Sequence, residues 1–468
     1  MSKKFNLRIL SCILAVLMLV GAMLMTACEK EPAGPADDGT DAPATDAPAT
    51  EAPATEAPAT DAPATEAPAT EAPATEAPAT EAPATEAPVT DAPVADAVAL
   101  PENTIAMGEI FYDYKDGQEA TFTFGGVAYK ATVGKDAFAM FMDAAEAAPA
   151  DGTIFLLPGT YLDDFKFEKN LTVLGPKAGI DPNVKGATQI DDWTLNPQRG
   201  EDEAIIMGNV GPGVYNQEVF PDCNKVVIDG VQFSGGFLFR YNSGDAGQSR
   251  LELKNILIRD VTTTNQMFFF YPYYPKNMTS SSYHREVIIE NMRIERLTSK
   301  NLFRLCADTI EVTGLYIDKD TTQNLFQQFG TAGTDGTDKW LFKDCMFKNT
   351  STSIFALDLT TASSGGHLTN LGANKKIEVE INNCVFAGDH LTGEHPAWIA
   401  IKRDNQAVTL RIKDNIFISN DSNSPIVSDE GSTPGAYAAI TEISGNIVTG
   451  TTGAYKFTAA TDAATFVK

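Results

Sequence analysis

From Ile228 onward the chain repeats one short pattern of apolar and polar positions: an apolar residue, any residue, then Asn, Asp or Gly, with apolar character returning one and three positions later. Eight copies begin at Ile228, Leu253, Ile289, Val312, Phe342, Ile381, Ile412 and Ile443, spaced 25, 36, 23, 30, 39, 31 and 31 residues apart, a mean of about 31. Units this short cannot bury their own apolar face, so the period predicts stacked coils, each covering its neighbour. The third column reads Gly230, Asn255, Asn291, Gly314, Asp344, Asn383, Asp414 and Gly445. These residue types best tolerate a left-handed backbone, which predicts a corner in every coil. Around the corner apolar and polar residues alternate with period two, as in Val287-Ile288-Ile289-Glu290 and Glu378-Val379-Glu380-Ile381, so strands lead into and out of it. The fourth column, Val231, Ile256, Met292, Leu315, Cys345, Cys384, Asn415 and Asn446, is apolar six times and then Asn twice. It predicts an inward ladder that ends in stacked asparagines.

A second strand per repeat is expected at 237–241, 267–271, 301–305, 325–329, 355–359 and 398–402. The expected fold is therefore all-β: a single-stranded right-handed parallel β-helix of about ten coils, with three short strands per coil. An antiparallel sandwich would give no reason for the corner residue to recur in register. Residues 104–133 alternate like a short hairpin, and 136–148 carry Phe138, Phe141 and Met142 at helical spacing. A capping helix over the open end of the stack is the expected use of this segment, because an uncovered end invites edge-to-edge pairing.

The start of the chain changes the picture of where this body sits. Lys3, Lys4 and Arg8 precede an apolar run over 9–25, followed by Met25-Thr26-Ala27-Cys28. Basic, apolar, then small residues is the order of a secretory signal. With a cysteine after Ala27 it resembles a bacterial lipoprotein signal, which implies cleavage before Cys28 and lipidation there; Met25 stands where Leu is usual. An uncleaved signal anchor is the other reading, and both hold the body outside the cytoplasm at a membrane. Residues 40–94 are eleven pentads of the form Thr-(Asp/Glu)-Ala-Pro-(Ala/Val). Proline at every fifth position forbids a helix and the segment lacks the apolar content for a core. It reads as a stalk, whose 55 residues would reach roughly 170 Å if wholly polyproline-like. Four segments result: signal 1–27, disordered stalk 28–100, hairpin and cap 101–150, and β-helix 151–468.

The net charge is −27, and 101–468 alone holds 46 acidic and 31 basic residues, or −15. So acidic a body is a poor partner for nucleic acid and would repel polyuronates at long range unless local basic groups or calcium intervened. Of six cysteines, Cys12 leaves with the signal and Cys28 is the lipid site. Cys345 and Cys384 share a column in adjacent coils, and the interstrand spacing of about 4.8 Å is wide for a disulfide. Buried free thiols are expected, with a bond as the alternative.

Asp136-Ala137-Phe138, then Asp151-Gly152-Thr153-Ile154-Phe155-Leu156-Leu157-Pro158-Gly159-Thr160-Tyr161, then Asn170-Leu171-Thr172-Val173-Leu174-Gly175 resemble the opening of the pectin-lyase-like β-helix superfamily, pectin methylesterases included. The resemblance covers about 40 residues directly, implies the fold, and leaves function to the site. The esterase signatures, a Gln-Asp pair, an Asp-rich strand and an Arg-Pro-Trp segment, have no counterpart here. Of the polygalacturonase signatures only Arg411-Ile412-Lys413 is literally present, on a repeat strand whose Ile412 should point inward. The four histidines lack ligand spacing, which argues against zinc.

The resemblance implies that polysaccharide would lie along the outward face of the second strands. Aligning repeats places Arg240, Phe270, Arg304, Gln328, Asp358 and Lys402 in one column. An eliminating lyase needs a cation beside the uronate carboxylate and a base for the neighbouring proton. Lys402, Arg304, Arg240 and Asp358 are the catalytic candidates, while alternation of polar outward positions explains the same column without chemistry. Phe268, Phe270, Tyr271, Tyr273 and Tyr274 form an aromatic run suited to stacking on sugar rings, or to covering the coil itself. Asp335 and Asp338 could offer oxygens to calcium, although such Asp-Gly runs are usually turns. No other cofactor is implied. Two functions compete: a surface-displayed module that binds a cell-wall or extracellular glycan, and a pectate-lyase-like uronate lyase. The lack of a convincing base favours the first, and a purely structural wall spacer is a third.

Overall fold

The computed structural model describes residues 96–211, 223–235, 239–243, 248–263, 266–272, 284–298, 301–305, 307–318, 324–328, 337–348, 353–358, 376–387, 399–402, 407–419, 427–429 and 438–450. The signal and the stalk up to 95 lie outside this set, as do Cys28, Tyr273, Tyr274 and Asp335. The last residues assigned to the stalk do not, and Val98–Ala99 is a strand paired parallel with Tyr129 and Lys130, so the folded body begins before 101.

The first apolar column forms one parallel ladder. Ile228 pairs with Leu253, Leu253 with Ile289, Ile289 with Val312, Val312 with Phe342, Phe342 with Ile381, Ile381 with Ile412, and Ile412 with Ile443. Upstream it continues through Val173, Ile154 and Ile105. Every member but the partly buried Ile443 belongs to the buried core. Burying such side chains contributes about 1.5–3 kcal/mol each, and here each is covered by the residue one coil away. The corner column behaves as its composition requires: all eight residues adopt φ between 51° and 72°. Gly230 has a second reason to be glycine, since an added Cβ would lie 1.9 Å from the Ala178 nitrogen.

These strands make a nineteen-stranded sheet, and the second strands make a nine-stranded sheet, with every pairing in both parallel. All six expected second strands are found, at Phe239–Ser243, Gln266–Pro272, Asn301–Leu305, Asn324–Gln328, Ser353–Asp358 and Ile399–Lys402. The chain is thus all-β, a solenoid-like stack of parallel strands consistent with a parallel β-helix. Aromatic rings stack between coils inside it, Phe268 on Phe303 at 4.7 Å and Phe386 on Phe417 at 4.8 Å. The fourth column points inward throughout: from Val231 to Cys384 it is at most 1% exposed, and Asn415 and Asn446 are buried with it. Cys223, Cys345 and Cys384 are free and buried.

The N-terminal part differs from the expectation. Thr104–Met107 is a rung of the large sheet, pairing Ile105 with Ile154. The hairpin is shorter, Glu119–Phe124 with Val127–Thr132, turning at Gly125-Gly126 with φ of 57° and 79°. The α-helix covers only Phe141–Ala147, because Ala137–Phe138 is taken into a strand beside Ala106 and Met107. Phe141 still turns inward, stacking on Phe165 at 4.1 Å, while Met142 is exposed. Among the described residues no helix is long and apolar enough to cross a membrane.

Candidate functional site

The second sheet places the expected site residues on a different register from the one the repeats suggested. Arg240 pairs with Phe269, Phe269 with Arg304, and Arg304 with Gln327. Phe270 pairs instead with Tyr241, and Gln328 with Leu305, so each is one position off the column. From Gln327 the same register runs through Ala356 and Ala400 to Ser428. Asp358 and Lys402 pair with each other, two residues further along their strands. At a strand spacing of about 4.8 Å, Lys402 therefore starts roughly 14 Å along the stack and about 7 Å along the strand from Arg304.

Phe268 is not a surface platform: it is fully buried against Phe303. Tyr271 lies on the second sheet, paired with Asn242. Asp338 is drawn into the strand Thr337–Lys343 and fully buried there, rather than held in an open turn. Among the described residues no group of three or more His, Cys, Asp or Glu side chains could hold a metal ion. In the Arg411-Ile412-Lys413 triplet Ile412 is buried, while Arg411 meets Glu378 at 3.6 Å and Lys413 meets Glu442 at 2.9 Å. The outward face of the large sheet is neutralised in the same way further up, where Arg250 bridges Glu252 and Glu286, each at 2.7 Å.

The feature the repeat pattern does not reveal is a strap. Between Gly175 and Arg199 the chain leaves the coil, and Asn183–Val184 pairs antiparallel with Thr194–Leu195. This hairpin lies along the corner column. At its base Arg199 is clamped in a buried pair with Glu203, Nε to Oε1 at 2.7 Å and Nη2 to Oε2 at 3.2 Å, and donates further to the carbonyls of Ile180, Val231 and Asn255. In the middle Asn183 donates to the carbonyls of Met292 and Gly314. At the tip Gln189 donates to the Asp414 carbonyl at 3.0 Å. From the Gly230 corner to the Asp414 corner is six coils, roughly 29 Å, so one hairpin ties together most of the repeat stack.

Side chains reinforce the strap. Trp193 stacks on Tyr316 with ring centres 6.0 Å apart, Lys185 sits 4.9 Å over Trp193, and the Arg293 guanidinium lies 3.9 Å over Tyr316. Asp192 pairs with Lys348 and accepts from the Tyr316 hydroxyl. Burial, then the Asp318 carboxylate, push the Tyr316 hydroxyl upward in pKa. Burial also raises the Asp181 carboxyl, against the hydrogen bond it accepts from the Asn183 backbone. Between the strap tip and the coils lies a cavity of about 230 Å³, lined by Lys185, Gln189 and Trp193 on one side and Asp344, Asn383 and Val385 on the other. Cys345 forms part of its floor.

The strap shows as an irregular spacing only once the ladder upstream of Ile228 is known. Val173 and Ile228 are paired neighbours although 55 residues separate them, whereas Ile154 and Val173 are 19 apart. Neither a family model, nor a curated protein, nor a solved structure matches the chain.

Proposed function

We propose that this chain is a lipid-anchored cell-surface protein that holds a glycan along its long parallel face without acting on it chemically. The finer reading of its body is a right-handed parallel β-helix of about ten coils, of the pectin-lyase-like kind, with the Phe141–Ala147 helix and the adjoining hairpin at its N-terminal end. The Lys3 to Cys28 signal and the Pro-rich stalk supply the anchor and the reach.

One observation carries the binding reading: Arg240, Phe269, Arg304 and Gln327 share one register position on four successive strands. At one position per strand, about 4.8 Å apart, the sequence offers arginine, phenylalanine, arginine and glutamine in turn, residue types suited to many modest contacts with an extended chain. The same register parts Arg304 from Lys402. A base and a cation must meet at one carbon, within hydrogen-bond reach of the proton transferred, and Arg304 and Lys402 start three strands apart. The second reading, a uronate lyase, draws on the direct pairing of Asp358 with Lys402 on neighbouring strands, which puts an acidic and a basic residue type at one register position.

The test is affinity electrophoresis of the full chain in gels carrying plant, algal or host polysaccharides. Retardation in at least one gel, reduced by Arg304→Ala and by Tyr271→Ala, supports binding. Migration unaffected by every polysaccharide defeats it and leaves a structural spacer.

A further inference from the structure

We propose that the cavity under the strap tip is a binding site for a single neutral sugar unit, a hexose-sized polyhydroxylated ring. At about 230 Å³ it falls below the roughly 300–1,000 Å³ typical of sites for drug-sized ligands, which suits one ring rather than a stretch of polymer. Its polar groups match hydroxyls, which both donate and accept. Asn383 Nδ2 donates to Asp344 Oδ1 at 2.5 Å, fixing the carboxylate, which keeps further lone pairs for accepting. Gln189 is pinned through its Nε2 on the Asp414 carbonyl, which leaves its carbonyl oxygen as an acceptor, and the Lys185 ammonium supplies donors. Trp193, whose ring is packed against Tyr316 and lies under the Lys185 ammonium, contributes its edge to the lining, and Val385 adds a small apolar contact beside it.

Charge selects against acidic and basic ligands alike. Lys185 and Asp344 contribute one charge of each sign, so the lining is neutral, within a body that carries −15 and repels free anions. The strap is what makes the site: Asp344 and Asn383 are ordinary corner residues of the repeat, and only under the hairpin tip do they face a second wall. This site is separate from the row on the second sheet, and each can fail alone.

The experiment is titration of the full chain with methyl glycosides of glucose, galactose, mannose and N-acetylglucosamine, and with glucuronate, followed by tryptophan emission. Saturable change with at least one neutral glycoside is expected, assigned to the pocket by its loss in Trp193→Phe. Asp344→Asn keeps a residue that accepts the corner conformation and should weaken binding by about tenfold with the melting temperature unchanged. Lys185→Met, at an exposed position, should weaken it severalfold and serves if Asp344→Asn folds poorly. No saturable change with any neutral glycoside, tighter binding of glucuronate, or affinity unchanged in both variants overturns the assignment. Retardation by polysaccharide in Asp344→Asn tests the long face independently.

Discussion

Asn415 sits directly above Asn446 at the same inward position one coil apart, its Nδ2 donating to Asn446 Oδ1 at 3.0 Å. The same Asn415 accepts from the Cys384 backbone N–H at 2.8 Å and donates to the Ile381 carbonyl at 2.8 Å. Inside a fully buried stack these bonds satisfy backbone groups that turn inward at the corner. Asn415→Leu keeps the branched outline of the side chain and removes them all. Each buried group left unpaired costs about 1–3 kcal/mol, so a loss of about 2–4 kcal/mol in urea unfolding is expected. A loss below about 1 kcal/mol would show that the ladder is incidental.

Left-handed corners make a second prediction. Asp414 has φ of 53° and is exposed, so its side chain can change with little loss of packing. Asp414→Gly should be close to neutral, and Asp414→Val should cost about 1–2 kcal/mol. Equal unfolding midpoints for the two variants would contradict the corner assignment.

The strap should come loose when its clamp is cut. Arg199 and Glu203 side chains are 0% and 1% exposed, and removing one partner of such a pair costs about 3–5 kcal/mol by stranding the other. Arg199→Met should therefore open the hairpin and speed limited proteolysis within 175–200, while Arg199→Met combined with Glu203→Leu restores part of the protection. Unchanged cleavage in the single variant would mean the strap is held elsewhere.

Acid should weaken the fold through named carboxylates. Burial alone would raise Glu295, but hydrogen bonds from Arg293 and Arg259 outweigh it and hold it below the ordinary range. Burial likewise opposes, and Lys254 and Arg250 outweigh, at Glu252; the Arg296 guanidinium lowers Asp260. A carboxyl lowered on folding contributes fully above its unfolded pKa, about 4, and loses that contribution as pH falls through the folded value. Asp181, raised by burial, has the opposite sign and offsets part of the loss. The urea midpoint should hold from about pH 7 to 5 and fall below about 4, with a shallower fall in Glu295→Gln. An identical slope in that variant would remove Glu295 from the explanation.

The corners were legible because one physical demand, positive φ, recurs at a fixed offset and only Gly, Asn and Asp meet it cheaply, as Gly230, Asn255 and Asp344 do. The register of the second sheet was not. Phe268-Phe269-Phe270 is uniformly apolar, so alternation offers no phase, and the column slipped by one to Phe270. Further corners at Gly235, Asp260 and Arg296, with φ of 82°, 54° and 53°, also escaped notice, the last because arginine does not advertise such a conformation. There the Arg296 guanidinium grips Asp260 of the preceding coil at 2.5 and 2.8 Å, which helps hold the backbone in place. The strap obeys no repeat at all, and its pocket joins residues up to 200 positions apart in sequence, such as Lys185 and Val385.

Binding without chemistry is tested most directly by incubating the full chain with acidic and neutral polysaccharides, with and without calcium. Ultraviolet absorbance of unsaturated uronates and retention of the polysaccharide are followed in the same sample. Retention with no new absorbance is the expected result. Absorbance that grows with time and is lost in Lys402→Ala would establish a lyase and contradict it.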